Sequence, residues 1–87
     1  MPTISYFYGI TIKMYWEESH HSVGHFHAEY AEYEASFDFA GELIAGELPK
    51  RQLRLVQAWA ELHGEELQAD WELAVSRKPL DSIDPLL

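Results

Sequence analysis

Histidine is the residue type in this chain whose clustering could support chemistry. Four of the five histidines lie within eight residues, at His20, His21, His25 and His27. On a strand, His25 and His27 project from the same face because successive side chains alternate. His21 lies four residues earlier and could fold back over them from a loop. Three imidazoles that converge in this way can hold zinc or another divalent ion and leave an open position for water.

The same histidines allow a metal-free interpretation. If the Tyr30–Tyr33 pair closes a hairpin, His25 faces Asp38 and His27 faces Ser36 across the two strands. A carboxylate beside an imidazole fixes its tautomer and raises its basicity. His25 and His27 would then act as base and acid in phosphodiester cleavage, with Asp38 behind them. The competing interpretations are a polar hairpin face that happens to use histidine and an ordinary cross-strand ion pair.

Alternating apolar residues predict the strands that carry these side chains. Residues 4 to 16 alternate and predict one long strand that ends at Trp16, with a bulge or bend at Gly9. Apolar and polar residues alternate again over residues 25–30 and 33–39, which predicts a hairpin with one solvent-exposed face and one buried face. A short fourth strand is predicted over Leu43–Leu48, and Gly46 weakens it, which suits an edge position.

The period changes to that of a helix after Pro49, which is a favourable first helical residue. If each residue turns the helix by 100°, seven residues fall on one side of it, within an arc of about 80°. This apolar stripe consists of Leu53, Val56, Ala60, His63, Leu67, Trp71 and Ala74. The stripe keeps its phase through Gly64. We therefore predict one long helix over residues 50 to 77, kinked at Gly64, and a break into two helices is the alternative.

These elements predict an α+β fold in ββββα order. An antiparallel sheet of three to four strands packs against one long C-terminal helix, and 87 residues give room for a single domain over residues 1–87. Pro79 and Pro85 exclude further helix. Leu80, Ile83 and Leu86 recur every third residue and predict an extended tail docked along the core. The expected core is Ile10, Ile12, Phe26, Phe37, Val56, Ala60, Leu67 and Trp71.

A second apolar set on the predicted helix indicates an interface. Leu55, Trp59, Leu62 and Leu73 lie on roughly the opposite side from the stripe, and one small sheet cannot bury both sides of a helix. A contiguous exposed apolar patch usually marks a protein–protein interface. The sequence therefore predicts a homodimer, with two-fold symmetry and with Trp59 as its anchor.

Charge and composition narrow the class of protein. Lys and Arg number 6 against 15 Asp and Glu, a net charge of −9, which argues against a nucleic-acid binder without a basic partner and against an anionic membrane surface. No apolar run is long enough for a transmembrane helix, and no signal peptide is visible. Cysteine is absent, so neither a disulfide nor a thiolate metal site is available. A cytoplasmic bacterial-type domain is the expectation.

The order of the segments also resembles a known family. The chain opens with ISYFYGITIKMYW, continues with HHSVGHFHAEY, GELIAGELP and LRLVQAWAELHGEELQADWELA, and ends on SIDPLL. Together these segments resemble the small bacterial family called domain of unknown function 4160. In that family's motif a histidine precedes the His-aromatic-His triplet by four residues, which matches His21, His25 and His27. The family commonly has glycine in the hairpin turn, where this chain has Ala31 or Glu32.

The resemblance implies a protein partner more than it implies a reaction. Members look like small stand-alone proteins, often encoded beside a small protein of the domain of unknown function 2442 family, a pairing similar to toxin–antitoxin modules. The first hypothesis is therefore a protein-interaction component of such a pair. The alternative is a small metal-dependent or histidine-based hydrolase or nuclease that uses the face of His21, His25 and His27. Whether the chain is an enzyme stays open at this point.

Overall fold

The computed structural model describes residues 3–15 and 24–87. Within these ranges the elements are β1 (Thr3–Phe7), β2 (Ile10–Lys13), β3 (His25–Tyr30), β4 (Tyr33–Asp38), β5 (Leu43–Gly46), α1 (Lys50–Leu62) and α2 (Gly64–Val75). The strands form one antiparallel sheet in the order β1-β2-β3-β4-β5. The α+β class is confirmed, but the sheet has five strands rather than three to four, and the helical region is divided.

The predicted long strand over residues 4 to 16 is wrong, because the chain reverses direction at Tyr8 and Gly9. Phe7 pairs with Ile10 across a two-residue turn, and φ is +52° at Tyr8 and +79° at Gly9. Positive φ at both central residues is the geometry of a type I′ hairpin turn. The reversal places Phe7 in the core beside Ile10 and leaves Tyr6 exposed. Trp16 lies outside the described residues.

The hairpin of β3 and β4 has the predicted register. Tyr30 pairs with Tyr33, His25 with Asp38 and His27 with Ser36. Strand β5 lies at the edge of the sheet, as Gly46 indicated, although it is the fifth strand and ends at Gly46 rather than at Leu48. The hairpin therefore fixes which side chains can meet on the two faces of the sheet.

The single long helix is also wrong, and the alternative of two helices is correct. His63 has φ −120° and ψ 27°, which lie outside the helical region, and it separates α1 from α2. Its backbone N–H still bonds to the carbonyl oxygens of Trp59 and Ala60, which closes the last turn of α1. Gly64 then begins α2, so the chain is not kinked within a helix but restarts one.

The core lies between the two helices and one face of the sheet, which we call the core face. All eight residues predicted for the core are buried: Ile10, Ile12, Phe26, Phe37, Val56, Ala60, Leu67 and Trp71. Trp59 joins them, with ring centroids 5.5 Å from Phe7 and 5.6 Å from Phe26. The apolar stripe therefore faces the sheet from both helices.

The tail after α2 docks along the core as predicted. Its Ile83 is buried, and the Ile83 N–H donates a 2.7 Å hydrogen bond to the carbonyl oxygen of Ile4 in β1. Two further bonds hold it to the helices: Trp59 Nε1 to the carbonyl of Asp84, and the Asp81 N–H to Asp70 Oδ1. Neither α1 nor α2 has the length and apolar character needed to cross a membrane.

Candidate functional site

By strand alternation His25 and His27 lie on the outer face of the sheet, opposite the core face, and His25, the first residue of β3, also contacts Trp71 of α2. They alternate along β3 with Phe26 and Ala28, which are fully buried. The two imidazole rings lie edge to face, with centroids 5.3 Å apart. The structure therefore brings together two of the three predicted histidines. The third, His21, and the neighbouring His20 lie outside the described residues.

Each imidazole also rests against an aromatic ring from another part of the chain. The Tyr15 ring lies edge-on to His27 at a centroid distance of 4.6 Å. The Trp71 ring of α2 lies 5.3 Å from His25 and is tilted to it by 53°. Aromatic contacts of this kind restrict ring orientation. The two imidazoles are therefore flanked by the aromatic rings of Tyr15 and Trp71.

Asp38 stands opposite His25 in the register, as predicted, but its carboxylate has a structural task. Its Oδ1 accepts hydrogen bonds from the backbone N–H groups of Ala40 and Glu42, both at 2.9 Å. An aspartate that accepts from the backbone N–H groups following it stabilises a turn. Asp38 thus holds the connection from β4 to β5, and its predicted role in orienting His25 stays a prediction.

A charged network beside the histidines was not expected from the sequence. Glu29 and Glu34 stand directly opposite each other on β3 and β4, an arrangement that repels. Lys13 Nζ lies 3.1 Å from Glu29 Oε1, and His27 Nδ1 lies 3.9 Å from Glu34 Oε2. The hydrogen bond to Glu29 raises the pKa of the Lys13 ammonium. One cation thus offsets Glu29, and a protonated His27 would offset Glu34.

An open pocket of about 260 Å³ lies beside His27 and is formed by β3, β4 and β5. Its walls are His27, Glu34, Ala35, Ser36, Ala45 and Gly46. The register between β4 and β5 shifts between Ser36 and Phe37, and Gly46 has φ +78°. These irregularities separate the strands locally. The arrangement offers a shallow site whose walls are mostly apolar but include an imidazole, a carboxylate and a hydroxyl.

The metal prediction depends on a residue that lies beyond the described ranges. Within residues 3–15 and 24–87, no group of three or more His, Asp or Glu side chains could hold a metal ion. His25 and His27 supply two neighbouring imidazoles, and the predicted third ligand is His21. A zinc site at His21, His25 and His27 therefore stays a prediction.

The predicted helical interface is only partly exposed. Trp59 has no exposed surface, so its prediction as an exposed anchor is wrong. The reason is geometric, because at 100° per residue Trp59 lies only about 60° from the buried Val56 around α1. Leu55 is half-buried against the core and Leu73 is half-buried, whereas Leu62 is 69% exposed. The homodimer stays a prediction that rests on Leu62 rather than on Trp59.

A second group of exposed apolar side chains lies at the sheet edge formed by β5. All four residues of the strand are exposed, and Leu43 and Ile44 are 44% and 51% exposed. The sequence signal was available, since two branched aliphatic residues stand in a strand that Gly46 marks as an edge. An edge strand presents backbone N–H and C=O groups that can pair with another chain.

The fold and these sites define a small acidic α+β protein that carries a histidine pair and an open sheet edge. The profile of the family described as Domain of unknown function (DUF4160) matches residues 9–72, which is well over half of the chain. The chain belongs to this family, as its segments indicated. Comparison with curated proteins gave no match, and comparison with solved structures gave none either.

Proposed function

We propose that this protein is a protein-binding module, which pairs with a second small protein as one component of a toxin–antitoxin-like pair. The observation that carries the proposal is the β5 edge, where Leu43 and Ile44 expose aliphatic side chains beside backbone groups. Within the described ranges β5 pairs only with β4. A partner that adds a strand there would satisfy the free backbone groups and cover the aliphatic side chains.

Charge favours a basic partner over a second copy of this chain at that edge. The net charge is −9, and Glu42 and Glu47 flank β5 on either side. Antiparallel pairing of two β5 strands would bring these carboxylates close to one another, which disfavours the pair. A basic partner would instead approach faster and bind in a defined register. The partner type implied by the family resemblance is a small protein of the domain of unknown function 2442 family.

Co-expression tests the pairing directly. The chain is produced untagged with the small protein encoded beside it, and the assembly is sized by light scattering after gel filtration. We expect a heterodimer that Ile44→Asp weakens at least tenfold. Val75→Asp is the matched control, because Val75 is 48% exposed against 51% for Ile44 and lies on α2. Separate elution of the two proteins, or equal loss in both variants, contradicts the proposal.

The predicted homodimer has its own test. Sedimentation equilibrium of the isolated chain measures its mass, and Leu62→Asp removes the most exposed leucine of the predicted helical interface. A dimer that Leu62→Asp converts to a monomer supports that interface. A wild-type monomer at high concentration contradicts it and leaves the heterologous partner as the interaction to seek.

The second candidate function is a hydrolase or nuclease that uses His25 and His27. It is favoured by the two adjacent imidazoles and by the open pocket lined by His27 and Ser36. In this reaction one imidazole removes a proton from the attacking oxygen while the other protonates the leaving oxygen. His21, and with it a divalent metal such as zinc, would supply the positive charge that the acidic surface lacks.

Metal analysis and cleavage assays separate this candidate from the binding module. Untagged protein is assayed for bound zinc and for cleavage of RNA, beside a His25→Ala/His27→Ala variant and a Glu32→Ala control on the hairpin turn. Activity that only the double variant loses supports the hydrolase. Equal RNA decay in all three proteins, with no bound metal, contradicts it.

A further inference from the structure

A second pocket lies between α2 and the tail. It has a volume of about 230 Å³, and its walls are Glu66, Ala69, Asp70, Asp81, Ser82 and Ile83. Three of these six residues carry carboxylates, two from α2 and one from the tail. The pocket is thus an acidic recess built where the tail crosses α2.

Asp70 is the unusual residue in this recess. It is only 1% exposed, and its Oδ1 accepts a 2.9 Å hydrogen bond from the backbone N–H of Asp81. The other oxygen, Oδ2, is also buried, and among the described residues it has no hydrogen-bond partner. A buried polar atom that lacks a hydrogen bond destabilises the folded state, because it has lost its contact with water without gaining another. The site therefore contains an acceptor that lacks a donor.

Because the residues around Asp70 are acidic, a hydrogen-bond donor that carries a positive charge is favoured at its Oδ2 atom. Burial raises the pKa of the Asp70 carboxyl, and the charges of Asp81 and Glu66 raise it further, against the lowering effect of the Asp81 N–H. In the described part of the chain no Lys or Arg side chain forms an ion pair with any of the three. Within residues 3–15 and 24–87, Glu66 forms an ion pair with the imidazole of His63, three residues before it in the chain, and with no other side chain.

The spacing of the carboxylates favours an organic cation over a metal ion. No three acidic or histidine side chains among the described residues converge closely enough to ligate one metal ion. A guanidinium or primary ammonium group is larger, and it carries several N–H donors that can reach oxygens on different sides of a recess. The Ser82 hydroxyl adds a further acceptor on the pocket wall.

We propose that this recess binds an organic cation, through a guanidinium or primary ammonium group held by Asp70 with Glu66 and Asp81. The source is either a free small amine or a basic side chain of a partner protein. Binding releases a proton wherever Asp70 is protonated in the free protein, so affinity rises with pH through that range. The recess shares no residue with the β5 edge, so binding of a small amine there does not require the pairing proposed for β5.

Nuclear magnetic resonance titration of the full chain tests this site. Methylguanidinium represents a free small cation, and a capped tripeptide with a central arginine represents a basic side chain of a partner protein. Tetramethylammonium is the control, because it has the same charge but no N–H donor. We expect shifts at the amides of Asp70, Asp81 and Ser82 with a Kd on the order of 1 mM, and none of comparable size with tetramethylammonium.

Variants make the outcome decisive. Asp70→Asn and, separately, Asp81→Asn should weaken the methylguanidinium titration about tenfold, whereas Glu72→Gln, an exposed residue of the same helix, should not change it. Binding of the tripeptide alone assigns the recess to a partner's side chain, and binding of methylguanidinium assigns it to small amines as well. Equal shifts with tetramethylammonium, or no shifts with either probe, overturn the proposal.

Discussion

The indole Nε1 of Trp59 donates a 2.8 Å hydrogen bond to the backbone carbonyl oxygen of Asp84. A fully buried side chain of α1 thus holds the tail directly, although 25 residues separate the two in the sequence. Trp59→Phe keeps most of the packing against Phe7 and Phe26 but removes this donor. We expect the free energy of unfolding to fall by about 1–3 kcal/mol, measured by urea denaturation.

Trp71→Phe is the matched control for the tail bond. Trp71 is 8% exposed, and in the described residues no hydrogen bond from its indole is seen. We expect a smaller loss of stability than for Trp59→Phe. Amide exchange should also accelerate at Ile83, whose N–H bonds to Ile4, only in the Trp59 variant. Equal losses and unchanged exchange would show that the tail is held without the indole.

Burial of Asp70 makes stability depend on pH. Its pKa lies above the ordinary value of 3.8, chiefly because of desolvation, so the folded state binds this proton more tightly than the unfolded state. The stabilising contribution is complete below the unfolded pKa and is lost as pH rises through the folded pKa. Asp70→Asn keeps an Oδ1 acceptor for Asp81 without the charge. We expect it to raise the free energy of unfolding at neutral pH by about 1 kcal/mol.

The measurement for Asp70 is a series of urea denaturations from acid to neutral pH. The difference between wild type and Asp70→Asn should grow with pH, and Glu72→Gln should run parallel to the wild type because Glu72 is exposed. A wild-type curve that gains stability through this range relative to Asp70→Asn would show that the carboxylate is stabilised rather than penalised.

The hairpin of β3 and β4 could be predicted residue by residue because its signals are local. Tyr30 and Tyr33 are separated by only two residues, and period-two alternation on both sides leaves one register that buries Phe26 and Phe37. The positions of His25 and His27 on the outer face followed from that register. The charged network of Lys13, Glu29 and Glu34 did not follow, since it also needs the pairing of β2 with β3.

The turn at Tyr8 and Gly9 was missed because it interrupts no alternation. Its residues continue the apolar pattern, and the usual Asn-Gly or Asp-Gly signal is absent. Gly9 was the available clue, since glycine favours positive φ. The Asp70 recess could not be predicted either, because its walls come from α2 and from a tail whose path is set by tertiary contacts.

Ala31 is a strained position whose relief should stabilise the hairpin. It has φ +51° in the turn between β3 and β4, a region that costs a residue with a Cβ about 1–2 kcal/mol. Ala31→Gly removes this cost but increases the freedom of the unfolded chain. We expect a net gain of up to about 1 kcal/mol, which corresponds to several degrees in Tm. Thermal unfolding measures it.

Glu32→Gly is the control for the turn. Glu32 is the adjacent turn residue and is not among the residues with positive φ, so glycine there brings only the entropic cost. We expect its Tm to fall while that of Ala31→Gly rises. A fall in both variants would mean that the backbone at Ala31 is not strained in solution.

Gly46 should be the least replaceable residue of β5. Its φ is +78°, and a Cβ there would lie 2.2 Å from the Glu34 carbonyl oxygen and 2.9 Å from the Ala35 Cα. Both are backbone atoms of β4, so neither can move aside as a flexible side chain would. Gly46→Ala should separate the end of β5 from β4, with a loss of about 2 kcal/mol or more from strain and lost pairing. Amide exchange at Glu47, whose N–H bonds to the Glu34 carbonyl, reports this separation.

Gly9→Ala is the control variant for Gly46→Ala, because φ is likewise positive at Gly9 but the atom nearest to an added Cβ, at 3.4 Å, belongs to the Tyr30 side chain. It should lose less stability and leave exchange at Glu47 unchanged, and equal effects in the two variants would contradict the close approach of β5 to β4.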